Sequence, residues 1–291
     1  MARHDRIFTI HLRSEGDRLE EALAETLAAA RRAKLRKLHI SHLKTAGVRN
    51  FGKLPFLLAA LQSADMRVTG DIYPYTAAMT QCGAILPSPW DEMSDSALTA
   101  HLADARHFQT ALTALRAARD ADYWSRVMIV NATPADRDCC GVMLPEAARK
   151  RGIAPEELFL RIIRRDAAVA MGAFHTLSRE NMETLAALPN VVPGSDESAR
   201  NVDSGCGLSH PRGFGAMPEY FRLRRRQGAS PESIIARMTG LPAAIFGLSD
   251  RGLIAPGRRA DLIRLDLEHF QSHATYAMPH RPATGAEILA C

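Results

Sequence analysis

An α/β fold built on a parallel sheet is what the 291-residue chain predicts, on two observations. Apolar runs of strand length alternate with amphipathic helical stretches from the first residues onward, the pattern of βα units. Residues able to do chemistry, His42 and Asp196 among them, fall just after such runs. In a parallel sheet closed by βα loops, that places them at the rim where active groups gather.

Ile7 to Leu12 reads as the first strand. Asp17 to Arg36 reads as a helix, with Leu19, Leu23 and Leu27 at i, i+4 spacing. Leu38 to Ser41 is the next strand, Phe51 to Ala64 the second helix and Arg67 to Ile72 the third strand. The stretch 78–133 has helical periodicity in parts and few strand signals, and is expected to be a mostly helical insertion. Ala154 to Arg165 follows as a helix, with Pro155, Glu156 and Glu157 in the first turn where the helix dipole favours them. Val169 to Phe174 and Val191 to Val192 read as the last two sheet strands, Pro231 to Thr239 as a helix, and Ala260 to Leu265 as a final strand outside the repeat.

Composition narrows the function classes. With 46% hydrophobic and 24% charged residues the chain has material for one large core or two modest ones. Its longest apolar stretches, Phe56 to Leu61 and Ala167 to Phe174, fall well short of the roughly 20 residues that cross a bilayer. No membrane partner is expected. The five cysteines, Cys82, Cys139, Cys140, Cys206 and Cys291, are odd in number and lack CxxC spacing. That pattern, with no signal peptide at the start, leads us to expect a reducing, cytoplasmic location. The net charge of +5 is small for this length. Arg222, Arg224, Arg225 and Arg226 would spread over several faces of a helix, so no nucleic-acid partner is expected.

Several residues carry chemistry by type and place. Asp196 follows a short apolar run and Gly194; a carboxylate there can bind a divalent metal or move a proton, and it can equally cap the next helix. His42 ends the strand 38–41, where an imidazole can offer a nitrogen to zinc or simply be hydrogen-bonded. His39 is assigned no role. Tyr73 and Tyr75 are candidates for substrate binding or for packing in a wall, since a phenol of pKa about 10 is a poor zinc ligand at neutral pH. His175 follows the strand 169–174 and is a further candidate metal ligand. Arg212 suits a carboxylate, which a planar guanidinium grips through two parallel hydrogen bonds, unless it is an ordinary surface arginine.

The motifs VVPGSD ending at Asp196, HPRGFG from His210, MTGLPAAIFGL from Met238 and DRGLIAPGRRADLIRLD from Asp250 occur in that order. Together they resemble the C-terminal half of the N-acyl-D-amino-acid deacylases (D-aminoacylases), a branch of the metal-dependent amidohydrolase superfamily. The resemblance implies an incomplete (β/α)8 TIM-like barrel, about strands 4 to 8, over residues 1–250, followed by a remnant of a small β-sandwich over 251–291. It implies a zinc-dependent hydrolase of the linear amide of N-acyl-D-amino acids. Within it His42 would bind metal, Asp196 would bind metal and shuttle the proton, and Arg212 would hold the substrate carboxylate. His11, Arg13 and Glu15, in IHLRSEGD, correspond to a strand end bordering the substrate pocket, with Arg13 taken as substrate-binding. At the segment from Asp71, where some relatives carry another histidine ligand, this chain has Ile72 and Tyr73.

The superfamily binds metal first through an HxH pair, and the eleven histidines here include none. A partial barrel also leaves unpaired edges and uncovered apolar faces. The expectations are therefore two: a hydrolase whose other half comes from a separate N-terminal segment or through self-association, or a truncated non-catalytic remnant without the HxH metal site. The strand at Ala260 to Leu265 is expected to lack the partner strands that an N-terminal half would provide.

Overall fold

The computed structural model describes residues 6–199, 201–202 and 208–290; His4, Cys206 and Cys291 lie outside them. The chain opens with β1 (Phe8–Ile10), α1 (Leu19–Arg32), β2 (Lys37–Ile40), α2 (Leu54–Gln62) and β3 (Arg67–Ile72). An excursion follows, with β4 (Ala78–Gln81), α3 (Asp95–Ala103), α4 (Ala105–Ala118), β5 (Val127–Asn131), α5 (Leu144–Lys150), α6 (Pro155–Arg165) and β6 (Met171–Phe174). The chain returns through α7 (Arg179–Ala187) to β7 (Val191–Pro193), then runs through α8 (Arg212–Arg226), α9 (Pro231–Met238) and α10 (Gly240–Phe246). It closes with β8 (Leu262–Leu265) and β9 (Ala286–Ala290).

Four strands pair in parallel in the order β1-β2-β3-β7. Ile10 pairs with Ile40, Ile40 with Gly70, and Ile72 with Pro193, so the strands end nearly level. Period-2 alternation then sorts the side chains. Leu38, Ile40, Val68 and Val191 join the core formed with Leu19 and Leu23 of α1 and Tyr220 of α8. His39 faces the other way, its ring 5.1 Å from that of Phe246 in α10. In α1, Glu20 and Glu21 open the helix and Arg31 and Arg32 close it, matching the macrodipole at both ends.

Two expectations are corrected. The parallel sheet has four strands and not about five, because Met171–Phe174 leaves it for an antiparallel sheet ordered β4-β6-β5. The excursion is helical over most of 78–133 and carries β4 and β5 as well; it runs on to β6 and has its own core, with Trp124, Val127, Leu158 and Phe159 fully or nearly buried. A short buried run such as MGAF specifies a strand and leaves its partner and direction open, and AMTQ becomes a strand only by pairing with it. β8 pairs with the antiparallel β9 from the C-terminal end of the chain. The helix expected over Pro231–Thr239 ends one residue early: α9 stops at Met238, and a separate α10 ends on Gly247 in the left-handed conformation.

Among the described residues no helix is long and apolar enough to cross a membrane.

Candidate metal and carboxylate site

The level strand ends bring four chain segments to one rim: His11 after β1, His42 after β2, Tyr73 after β3 and Asp196 after β7. His11 Nδ1 lies 2.8 Å from His42 Nε2, the rings meeting edge to face at 4.6 Å. Asp196 Oδ1 stands 4.0 Å from the same Nε2. The other edge of the His42 ring is fastened. Its Nδ1 has Glu15 Oε1 at 2.6 Å and Lys44 Nζ at 2.8 Å, and Lys44 donates to Glu15 at 2.7 Å. His42 is itself turned to a left-handed φ of +38°, with its backbone N–H donating to Asp71 Oδ1 at 2.9 Å.

Among the described residues, His11, Glu15 and His42 are a group of three metal-ligating side chains whose donor atoms lie within 4.8 Å of one another. The geometry divides their roles. Glu15 abuts Nδ1, so it orients the ring, as carboxylates behind ligating histidines do. The face that Nε2 presents is shared with His11 and Asp196. Two imidazole nitrogens and a carboxylate form a donor set suited to zinc, and nitrogens this close need only a small separation for one ion to reach both.

Electrostatics set the protonation states around this face. Burial opposes the charge on Glu15, and the Lys44 ammonium with His42 outweighs it, leaving the carboxyl below its ordinary range. Burial pushes Lys44 down, with Glu15 pulling the other way. Burial also lowers His11, which favours the neutral imidazole that a metal requires.

Beside the imidazoles lies a cluster of buried cationic side chains. Arg212, the first residue of α8, is buried, with Nη1 2.8 Å from Asp196 Oδ2 and Nε 3.8 Å from Glu197. The approach of Asp196 is off the N–H direction, and Arg212 Nε and Nη1 and the Tyr73 hydroxyl lack hydrogen-bond partners despite burial. The Tyr73 ring lies under both cations, 4.6 Å from the Arg212 guanidinium and 5.6 Å from Lys44 Nζ. Desolvation drives the Tyr73 phenol well above its ordinary pKa, so it is a neutral donor. Unpartnered buried donors around two cations are what a bound carboxylate would satisfy.

Of the residues singled out in the sequence, His42, Asp196, Arg212 and Tyr73 converge. Tyr75 stands in a wall: its ring is 5.1 Å from His210, and its hydroxyl fills the space a side chain at Gly215 would need. Two others go elsewhere. Arg13 turns to the outer face of α1, with Nε 2.5 Å from Glu25 and Nη2 3.4 Å from Glu21. The chain leaves β1 at Ile10, so strand alternation no longer aims that side chain. His175 follows β6 into the antiparallel sheet, where its ring lies 4.7 Å from Tyr276, and it is not part of the metal-ligating group. Sequence reasoning gave no ligand role to His11 and missed the supports Glu15, Lys44, Asp71 and His39. The signal for His11 was present, a histidine just past the first strand as His42 is just past the second. The described cysteines Cys82, Cys139 and Cys140 are free thiols.

The sequence matches the model of the Amidohydrolase family over residues 7–279. It is 27% identical over 286 residues to N-acyl-D-glutamate deacylase of Alcaligenes xylosoxydans xylosoxydans, covering 97% of this chain and 49% of that protein. The fold is similar to the crystal structure of D-aminoacylase, with a TM-score of 0.74 and 25% identity over 99% of this chain and 52% of that one. N-acyl-D-glutamate deacylase from Bordetella bronchiseptica, solved with zinc and a phosphonate mimic of the tetrahedral intermediate, gives the same score, identity and coverage, 0.74, 25%, 99% and 52%. The chain thus spans about half the length of these relatives. With TIM-barrel amidohydrolases as its structural neighbours, a parallel sheet ending in His11, His42 and Asp196, and a family match along nearly its whole length, the chain belongs to the Amidohydrolase family.

Proposed function

We propose that this chain carries the C-terminal half of a zinc-dependent hydrolase that cleaves the linear amide bond of N-acyl-D-amino acids. The observation that carries the reading is the convergence of His11, His42, Asp196 and Arg212 on one rim, within contacts of 2.8 to 4.0 Å. His11 Nδ1 and His42 Nε2 would hold the ion, with Asp196 Oδ1 beside them. When bound, zinc supplies Lewis-acid polarisation of the amide carbonyl and a nucleophile at neutral pH. Asp196, half-buried between His42 and Arg212, takes up a proton at Oδ1 and delivers it to the departing amine nitrogen. Arg212, the Tyr73 hydroxyl and Lys44 grip the α-carboxylate of the substrate, and Tyr75 packs behind them.

The proposed organisation is a partial barrel over residues 1–250 and a sandwich segment over 251–291, acting in the cytoplasm. The barrel strands beyond the four parallel ones come from further polypeptide, as a separate N-terminal half or a second copy. The test is zinc content of the purified chain, with release of free D-amino acid from N-acetyl-D-glutamate, N-acetyl-D-aspartate and N-acetyl-D-methionine. About one zinc per chain and hydrolysis of at least one substrate are expected. Protein that takes up no zinc, and stays inactive with both zinc and the complementing N-terminal half of a relative added, would establish the remnant reading instead.

A further inference from the structure

Two residues on the rim occupy the left-handed region that side chains avoid, His42 at φ +38° and Asp196 at φ +48°. Such conformations persist where the surroundings over-determine them. Asp71, near the end of β3 and between the two turns, hydrogen-bonds the first and lies against Gly194 on the side of the second. Its Oδ1 accepts the His42 N–H at 2.9 Å, and its backbone carbonyl accepts the Leu43 N–H at 2.9 Å. On the other side Gly194, two residues before Asp196, donates its N–H to Ile72 at 2.9 Å. A Cβ at position 194 would stand 2.9 Å from Asp71 Oδ1, so the glycine of GSD is required here by close approach. Asp71 is clamped in turn: its Oδ2 is 2.8 Å from His39 Nε2, and His39 Nδ1 is 2.9 Å from Thr69 Oγ1.

We propose that Asp71 is the positioning residue that sets the His42 and Asp196 turns from one carboxylate, with His39 holding it in place. Its consequence for chemistry rests on the metal-site reading above; its test does not. Asparagine at 71 is the conservative variant. Its amide oxygen can still accept the His42 N–H, and its NH2 can face His39 Nε2 if His39 donates from Nδ1 to Thr69, whose hydroxyl has Leu38 O as an alternative acceptor at 3.3 Å.

The experiment is site-resolved amide hydrogen exchange on the full chain, comparing wild type with Gly194→Ala, Asp71→Ala and Asp71→Asn. Gly194→Ala pushes on Asp71 from the far strand, and His42 amide exchange should quicken about tenfold or more while ladder amides of β2 and β3 hold. Asp71→Ala should do the same, and Asp71→Asn should stay within about threefold of wild type. If Asp71→Ala does not fold, the other two variants carry the comparison. The proposal is overturned if His42 exchange is unmoved in Gly194→Ala, if the ladder amides quicken equally, or if asparagine behaves as alanine. Zinc affinity, by competition with a chromophoric chelator, should fall about 10- to 100-fold in Gly194→Ala. Wild-type protein that fails to bind zinc would sink the hydrolase reading and leave the exchange result standing.

Discussion

His11 Nδ1 and His42 Nε2 meet at 2.8 Å although 31 residues separate them in the chain. The parallel register pairing Ile10 with Ile40 places both histidines just past adjacent strand ends. Glu15 and Lys44 then fasten the far edge of the His42 ring, so its Nε2 is held facing His11.

Zinc binding should depend on both histidines. His42→Ala and His11→Ala are each expected to abolish stoichiometric zinc in equilibrium dialysis. Glu15→Gln, which keeps the shape and loses the charge behind Nδ1, should weaken affinity about 10- to 100-fold. Equal zinc affinity in wild type and Glu15→Gln would contradict the orienting role.

Arg212→Lys should separate binding from turnover. A lysine retains charge and forfeits the planar pair of donors, and one charge-assisted hydrogen bond is worth about 1.5–3 kcal/mol. Steady-state kinetics should show KM rising about tenfold or more, with a smaller change in kcat. An unchanged KM would remove Arg212 from the carboxylate pocket.

In the Glu15–Lys44 pair the lysine is buried and the glutamate largely so, at side-chain exposures of 8% and 16%. Lys44→Met strands a buried carboxylate and is expected to cost about 3–5 kcal/mol in urea unfolding. The double variant Glu15→Gln, Lys44→Met should recover much of that loss. A double variant as unstable as the sum of the single ones would show that the two charges are not coupled.

His210 gives a pH dependence with a definite sign. Burial holds its pKa down to about 3 from 6.5, so the folded state keeps it neutral where the unfolded state takes up a proton. Its contribution is fully present above pH 6.5 and is lost as pH falls from there toward 3. Within that window His210→Gln should reduce the slope of unfolding free energy against pH by up to about 1.4 kcal/mol per pH unit. His11 and His175, both also lowered by burial, keep some slope in the variant. Parallel profiles for the two proteins would refute the assignment.

Two cores should respond separately. Phe159 sits in the core of the excursion and Leu23 in that of the parallel sheet, both fully buried. Phe159→Ala is expected to cost about 3–5 kcal/mol and Leu23→Ala about 2–5 kcal/mol, with the double variant additive within about 0.5 kcal/mol. Strong non-additivity in equilibrium unfolding would indicate one continuous core.

Local pattern was enough for the βα units, because α1 buries the leucines whose spacing announced it and β3 spans the residues expected of it. The family wording around Asp196 and Arg212 likewise pointed to residues that do converge. It failed where direction and partner matter. Met171–Phe174 was legible as a strand, but the antiparallel sheet it joins depends on β4, whose AMTQ is a weak strand signal, and on the VMIVN run of β5, which sequence reasoning passed over. Arg13, taken as substrate-binding from the resemblance alone, pairs with Glu25 and Glu21 of α1, a contact that no motif records.

By itself the amino-acid sequence determined the alternating α/β plan, the family and the rim positions of His42, Asp196 and Arg212, since all three follow from periodicity and contiguous motifs. Only the tertiary structure decided that His11 faces His42, that Glu15 and Lys44 brace the ring from behind, and that Asp71 and His39 support it from the neighbouring strand. Apart from Lys44, two positions from His42, these are contacts between residues about 30 positions apart, brought together by strand register and burial, and no local window of sequence contains both partners.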